Sequence, residues 1–256
     1  MRLLTLGLCL SLLVPINALS KTPEERGLEI AIMADKANTG FIGEAADMTM
    51  ELINAHGDVV TRKMSLKLLE GPQGDKSISS FSWPADVNGT KMLTWTHKDG
   101  DDDQWLYLPA IKRIKRISSR NKSGSFMGSE FSYEDFAGQE VEKFTYKHLE
   151  EITYDGRAVW RNERVPVDKR SGYSRQVVWV DKEYFNPLKI EYYDRKGELL
   201  KIGLFKDYEK YGKFWRFSSI HMDNVQTKKR SVLTWKNRKM GIKHSEEDFE
   251  SEALED

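Results

Sequence analysis

The chain has 256 residues with 40 basic and 40 acidic side chains, and its 39% hydrophobic and 31% charged fractions describe a folded chain with much polar surface. That length suits one all-β domain or two smaller ones, and one is expected. Its single cysteine, Cys9, falls in an apolar leader, so disulfides, thiolate metal ligands and cysteine nucleophiles are excluded from the rest of the chain.

Residues 1–20, MRLLTLGLCLSLLVPINALS, place one Arg before a short apolar run and a small-residue exit, the layout of a cleavable secretory signal peptide ending after Ala18 or Ser20. The run is shorter than the ~20 apolar residues that a membrane-spanning helix needs. Cys9 sits too early for a lipidation site, so the expected product is exported, soluble and not lipidated. Thr22, Pro23 and Glu25 form a T-x-x-E capping box with Pro at the first helical position, which predicts a helix to about Ala37. Ile30, Met33 and Ala34 widen its apolar face.

From Glu44 the period changes to two. Ala46, Met48, Met50 and Leu52 alternate with Asp47, Thr49 and Glu51. After a turn at His56-Gly57-Asp58, Val60, Met64, Leu66 and Leu68 alternate with Thr61, Lys63, Ser65 and Lys67. Strands follow at 77–83 and 90–97, and 104–117 forms one or two more. Residues 118–128 break the pattern, and Ser132 caps a short helix to Phe136. Seven strands then run through 141–154, 157–166, 174–181, 187–194, 198–209, 213–225 and 231–240, punctuated by Asp155-Gly156, Asn186-Pro187, Lys196-Gly197 and Tyr211-Gly212. The expected fold is mainly β (α+β): a single large curved antiparallel sheet, an unclosed β-barrel of about eleven strands, with a few helices covering its concave face. The divisions are a signal peptide at 1–20, one half-barrel domain at 21–243 and an acidic tail at 244–256. That tail, HSEEDFESEALED, carries seven acidic residues and no Lys or Arg, while 21–243 carry 39 basic against 33 acidic side chains. This asymmetry concerns surfaces and partners rather than fold.

An oily sheet face of this size must be covered. Only the N-terminal helix and the segment 118–136 are available, so two readings stand: a partly filled apolar cavity, or a sheet closed over its own side chains. Met suits a cavity that accepts varied shapes. Catalytic patterns are lacking. His56, His97, His148, His221 and His244 are scattered, with no H-E-x-x-H, and the GSFMG around Ser125 is not a nucleophile elbow. Asp99, Asp101, Asp102 and Asp103 do not fit a calcium loop, because Gln104 and Ala110 stand where it needs Gly and Glu; a solvated hairpin turn fits better. No cofactor or metal is assigned. Lys112, Arg113, Lys115 and Arg116 form the densest basic run, interleaved with Ile111, Ile114 and Ile117 at a spacing of three that does not fit simple strand alternation and leaves room for a bulge or an irregular turn. In an exported protein such a run suits anionic headgroups or an acidic protein face rather than nucleic acid. The plainer reading is a charged edge strand that resists aggregation.

The segments WLYLPAIKRIKRI and SGSFMGSEFSYEDF, preceded by GFIGEAADMTMELINAHGDVVTRKMSLKL and followed by YYDRKGELLK, give residues 34–240 a resemblance to the outer membrane lipoprotein-sorting protein family, whose fold is that of the LolA and LolB carriers. The resemblance implies an unclosed barrel plugged by helices around an acyl-chain cavity. It further implies a periplasmic, non-catalytic carrier for lipid or lipoprotein acyl chains. The alternative it allows is an envelope sensor, or an accessory module for an inner-membrane lipid exporter of the resistance-nodulation-division type. For the ligand wall the expected residues are Met48, Met50, Leu52, Met64, Leu66, Leu68, Leu106 and Leu108. Trp83, Trp95 and Trp105 are assigned to the rim or core, with Phe126 and Met127 in a lid between Gly124 and Gly128. Lys112, Arg113, Lys115 and Arg116 are the expected docking patch for a transporter or an anionic membrane surface.

Overall fold

The structure, a computed structural model, describes residues 21–255; the signal-peptide assignment to 1–20 lies outside the described residues. Helix α1 (Pro23–Asn38) opens on the expected capping box, with the Glu25 amide donating to Thr22 Oγ1 at 3.1 Å and the Thr22 amide donating to the Glu25 carboxylate at 2.8 Å. Gly27 faces the edge of the sheet so closely that a Cβ there would lie 2.8 Å from the backbone of Lys147 and His148. The missing side chain lets the helix lie against a strand.

The first half of the sheet is a meander of β1 (Gly43–Ile53), β2 (Val59–Leu69), β3 (Lys76–Trp83), β4 (Lys91–Trp95), β5 (Asp103–Leu108) and β6 (Arg113–Ile117). The second comprises β7 (Phe144–Tyr154), β8 (Arg157–Pro166), β9 (Tyr173–Asp181), β10 (Pro187–Asp194), β11 (Leu199–Tyr211), β12 (Phe214–Asn224) and β13 (Arg230–Met240). Thirteen antiparallel strands therefore stand where about eleven were expected, in the order β6-β5-β4-β3-β2-β1-β13-β12-β11-β10-β9-β8-β7. One source of the difference is the 104–117 segment, which a 3₁₀ turn at Pro109–Ile111 and a left-handed Lys112 divide in two. The threefold spacing of Ile111, Ile114 and Ile117 had left room for such an irregular turn.

The two meanders meet where β1 pairs with β13, setting Met48 opposite Trp235 and Met50 opposite Leu233. Strands β6 and β7 are sequence neighbours but form opposite edges of the sheet, so the barrel stays open. Residues 118–143 connect them across the concave face, carrying short 3₁₀ helices at Tyr133–Phe136 and Val141–Lys143. The main core lies on that face, under α1 and this crossing segment. The convex face has two smaller clusters of its own, because alternation leaves large side chains on both sides of several strands.

The acidic tail is docked on the convex face rather than standing free of the body. Its Phe249 and Leu254 are fully buried against Ile78 and Leu93. Trp95 Nε1 donates to the Phe249 carbonyl at 2.7 Å, and Lys76 and Lys67 reach Glu246 and Asp248 at 2.9 and 3.2 Å. Burial of the two apolar side chains supplies most of the attachment. The exposed ion pairs add little.

Candidate functional site

The concave face is filled on one half and hollow on the other. Over the first meander, Phe126 of the crossing segment is fully buried, with its ring 5.9 Å from Phe81, 5.7 Å from Tyr133 and 4.7 Å from Phe136. Met48, Met50, Met64 and Leu106 are buried in this same core, and Leu52, Leu66, Leu108 and Met127 pack on it partly buried. Thus Phe126 anchors the crossing segment on this half. Arg62 fixes the next residue by donating to the Met127 carbonyl.

Over the second meander lies a cavity of about 460 Å³. Its roof is the face of α1 bearing Ile30, Ala31 and Ala34, whose two alanines leave space that larger side chains would occupy. Its walls come from alternate positions of the strands: Val178 and Val180 on β9, Ile190 and Tyr192 on β10, Ile220 and Met222 on β12, and Leu233 and Trp235 on β13. Phe205, Phe217, Phe131 and Phe136 add aromatic surface to the apolar lining. The volume is in the usual range for a small-molecule pocket.

None of the thirteen residues expected to form the ligand wall and lid lines this cavity. Met48, Met50, Leu52, Met64, Leu66, Leu106, Leu108, Phe126 and Met127 are on the concave face but in the filled half. Leu68 shares their parity on β2, opposite Glu44 near the start of β1. Trp95 and Trp105 point the other way; their rings meet edge to face at 5.0 Å in the convex cluster beneath the tail. Trp83 is 49% exposed at the end of β3. The cause is the size of the side chains that the two covering segments present. The aromatic crossing segment is large enough to plug its half, whereas α1 offers small residues and rests against β7. Alternation could not single out this lining, because β9 is apolar on both faces, with Val177 and Trp179 set between Gln176, Val178 and Val180.

Asp35, Asn38, Asn162 and Asn186 also border the cavity, and two further polar centres stand out. Asp135 forms a buried ion pair with Lys201 at 2.5 Å, with both side chains over nine-tenths buried, and also accepts from Tyr173 Oη at 2.7 Å. The Ser132 amide donates to the same carboxylate at 2.7 Å, so the expected helix cap is present. Burial, with Asp135 and Glu134 beside it, pushes the Tyr173 hydroxyl well above its ordinary range. Arg164 on β8 is the second: Nε donates to Gln176 Oε1 at 2.8 Å, Nη2 donates to Gln139 Oε1 at 2.7 Å, and the guanidinium lies 4.4 Å from the Phe144 ring centre.

Beside the cavity is a polar cleft of about 310 Å³, and Gln139 and Gln176 line both spaces. The acidic turn contributes to it, in a tighter role than the expected solvated hairpin. Asp102 takes Lys143 and the amides of His97 and Gly138, and Asp101 takes Arg170. Asp168 binds Lys122 at 2.5 Å and Arg170 at 2.9 Å, and these bonds hold its carboxyl well below the usual range against the opposing effect of burial. The basic run occupies edge strand β6 and the turn before it; Arg116 pairs with Asp103, while Arg113 and Lys115 are exposed. Among the described residues no cluster of His, Cys, Asp and Glu could hold a metal ion.

A family described as uncharacterized protein matches residues 73–256. A solved domain named for outer membrane lipoprotein sorting, from Vibrio parahaemolyticus, is 47% identical over 91% of this chain and all of its own length, with a TM-score of 0.89. A DUF1329 family protein from Desulfovibrio piger is 33% identical over the same shares, at a TM-score of 0.87. A LolA superfamily protein from Nitrosomonas europaea shares the fold at 18% identity and a TM-score of 0.71, again over 91% of this chain and all of its own. Comparison with curated proteins finds no match.

Proposed function

Because this chain belongs to the outer membrane lipoprotein-sorting protein family, with a LolA-like fold, we propose that it is a periplasmic, non-catalytic carrier that holds an acyl chain of a lipid or lipoprotein in the cavity under α1. The observation that carries this reading is the cavity of about 460 Å³ with apolar residues from a helix, five strands and the crossing segment around it. Each buried methylene of a chain contributes ~0.8 kcal/mol, so about ten of them give roughly 8 kcal/mol. That gain is offset in part by the cost of association, so a chain is held reversibly and can pass to a better acceptor. Ala31, Ala34, Val178, Val180, Met222 and Leu233 are the proposed contacts. Lys112, Arg113 and Lys115 form the proposed docking edge toward an anionic membrane surface or a membrane partner, since they cluster at the open end of the sheet order.

The test fills the cavity. Ala34→Phe combined with Val178→Phe is expected to weaken binding of a fluorescent acyl probe at least ten-fold and to strip copurifying lipid seen by native mass spectrometry. Charge reversal of the docking edge is expected to leave probe binding intact and to reduce capture on anionic vesicles. Wild-type protein that binds no probe and carries no lipid would overturn the carrier reading.

A further inference from the structure

The cavity walls are apolar, yet Arg164 is set among them with only neutral acceptors. Its two hydrogen bonds go to the side-chain carbonyls of Gln139 and Gln176, and among the described residues Nη1 has no acceptor. Two other charged residues share the lining. Asp135 is committed to Lys201 at 2.5 Å, and Asp35 sits exposed on α1. Burial pushes the Arg164 guanidinium down from its ordinary value, with Asp135, Tyr146 and Tyr192 acting weakly against this. Arginine does not lose its proton in proteins, so the charge persists. A cation in such surroundings attracts an anion more strongly than it would in water.

Its position is equally specific. Gln139 and Gln176 line both the apolar cavity and the polar cleft, and Arg164 is bonded to both of them. It therefore stands where a chain lying in the cavity would pass its head toward the polar side. We propose that the cargo is an amphiphile with one anionic head, a carboxylate or a phosphate, whose chain lies among the apolar walls and whose head pairs with Arg164. This rests on the carrier reading and narrows it. Acyl chains joined only through ester or amide bonds, as in a lipoprotein anchor, bring no charge to this arginine.

The experiment titrates the purified protein with three probes of equal chain length: palmitate, 1-palmitoyl lysophosphatidate and uncharged 1-monopalmitoylglycerol. A charge-assisted pair predicts that wild type binds one or both anionic probes roughly ten- to hundred-fold tighter than the glyceride. Which of the two is favoured tells carboxylate from phosphate. In Arg164→Gln this ratio is expected to collapse to near one, and Arg164→Lys, which keeps the charge without the fork, retains part of it. Inorganic phosphate alone is expected not to compete. Equal binding of anionic and neutral probes by wild type overturns the inference while leaving the carrier reading intact, as does a ratio that survives in Arg164→Gln. Phosphate that competes as well as lysophosphatidate also overturns it, in favour of a free-anion site. If none of the three binds, the carrier reading falls and takes this inference with it.

Discussion

Asp75 is a carboxylate that its surroundings hold against its charge. Burial raises it from 3.8 to about 6, and Glu140, Glu70 and Asp35 add to the effect, while the Gly71 amide, donating at 3.1 Å, opposes it. Because its folded value exceeds the unfolded one, its contribution to stability is fully present below about pH 4 and is lost as pH rises through about 6. The gap corresponds to roughly 2–3 kcal/mol at neutral pH. Asp75→Asn keeps an acceptor for Gly71 and removes the ionisation, so urea unfolding should show it more stable than wild type at pH 7 and little different at pH 4. Equal effects at the two pH values would refute the assignment. Residue-scale features of this kind were legible only where the partner is near in sequence. The caps Thr22–Glu25 and Ser132–Asp135 could be read from their spacing, but the second bond of Asp135, to Lys201, joins segments that only the fold brings together.

At the scale of elements, alternation placed the β1–β2 hairpin closely, and β8 and β10 run over the expected residues. Alternation fixes which side chains share a face, not what covers that face, and this is why the core that Trp95 and Trp105 join, beneath the tail, could not be located from spacing. The acidic tail shows the same limit: its composition describes a solvated segment, yet two apolar residues spaced five apart dock it. Phe249 fills the space between Leu93, Ile78 and the two tryptophans, so Phe249→Ala should leave a cavity and cost ~3–5 kcal/mol. Trp95 would then lose its cover, although the backbone carbonyl it donates to remains, and its fluorescence should shift to the red. A variant with unchanged stability and an unshifted spectrum would mean that the tail is only loosely applied.

The whole molecule is one sheet whose concave face is packed unequally. The pairing of β1 with β13 makes the two meanders continuous, so rigidity is shared along the backbone while side-chain packing is not. Atoms that face empty space lose dispersion contacts, and regions with few buried contacts open at lower free energy. Amide exchange in the apo protein should therefore be slower in β1–β4, beneath the Phe126 plug, than in α1, β9 and β10, which border the cavity. Saturation with an acyl ligand should slow exchange in α1, β9 and β10, because the chain supplies the missing contacts and stabilises the state that binds it. The β1–β4 region should change little. The opposite pattern, with protection gained around Met48, Met50 and Met64, would return the binding wall to the half of the sheet that alternation alone had suggested and would make the crossing segment, rather than α1, the element that yields to the ligand.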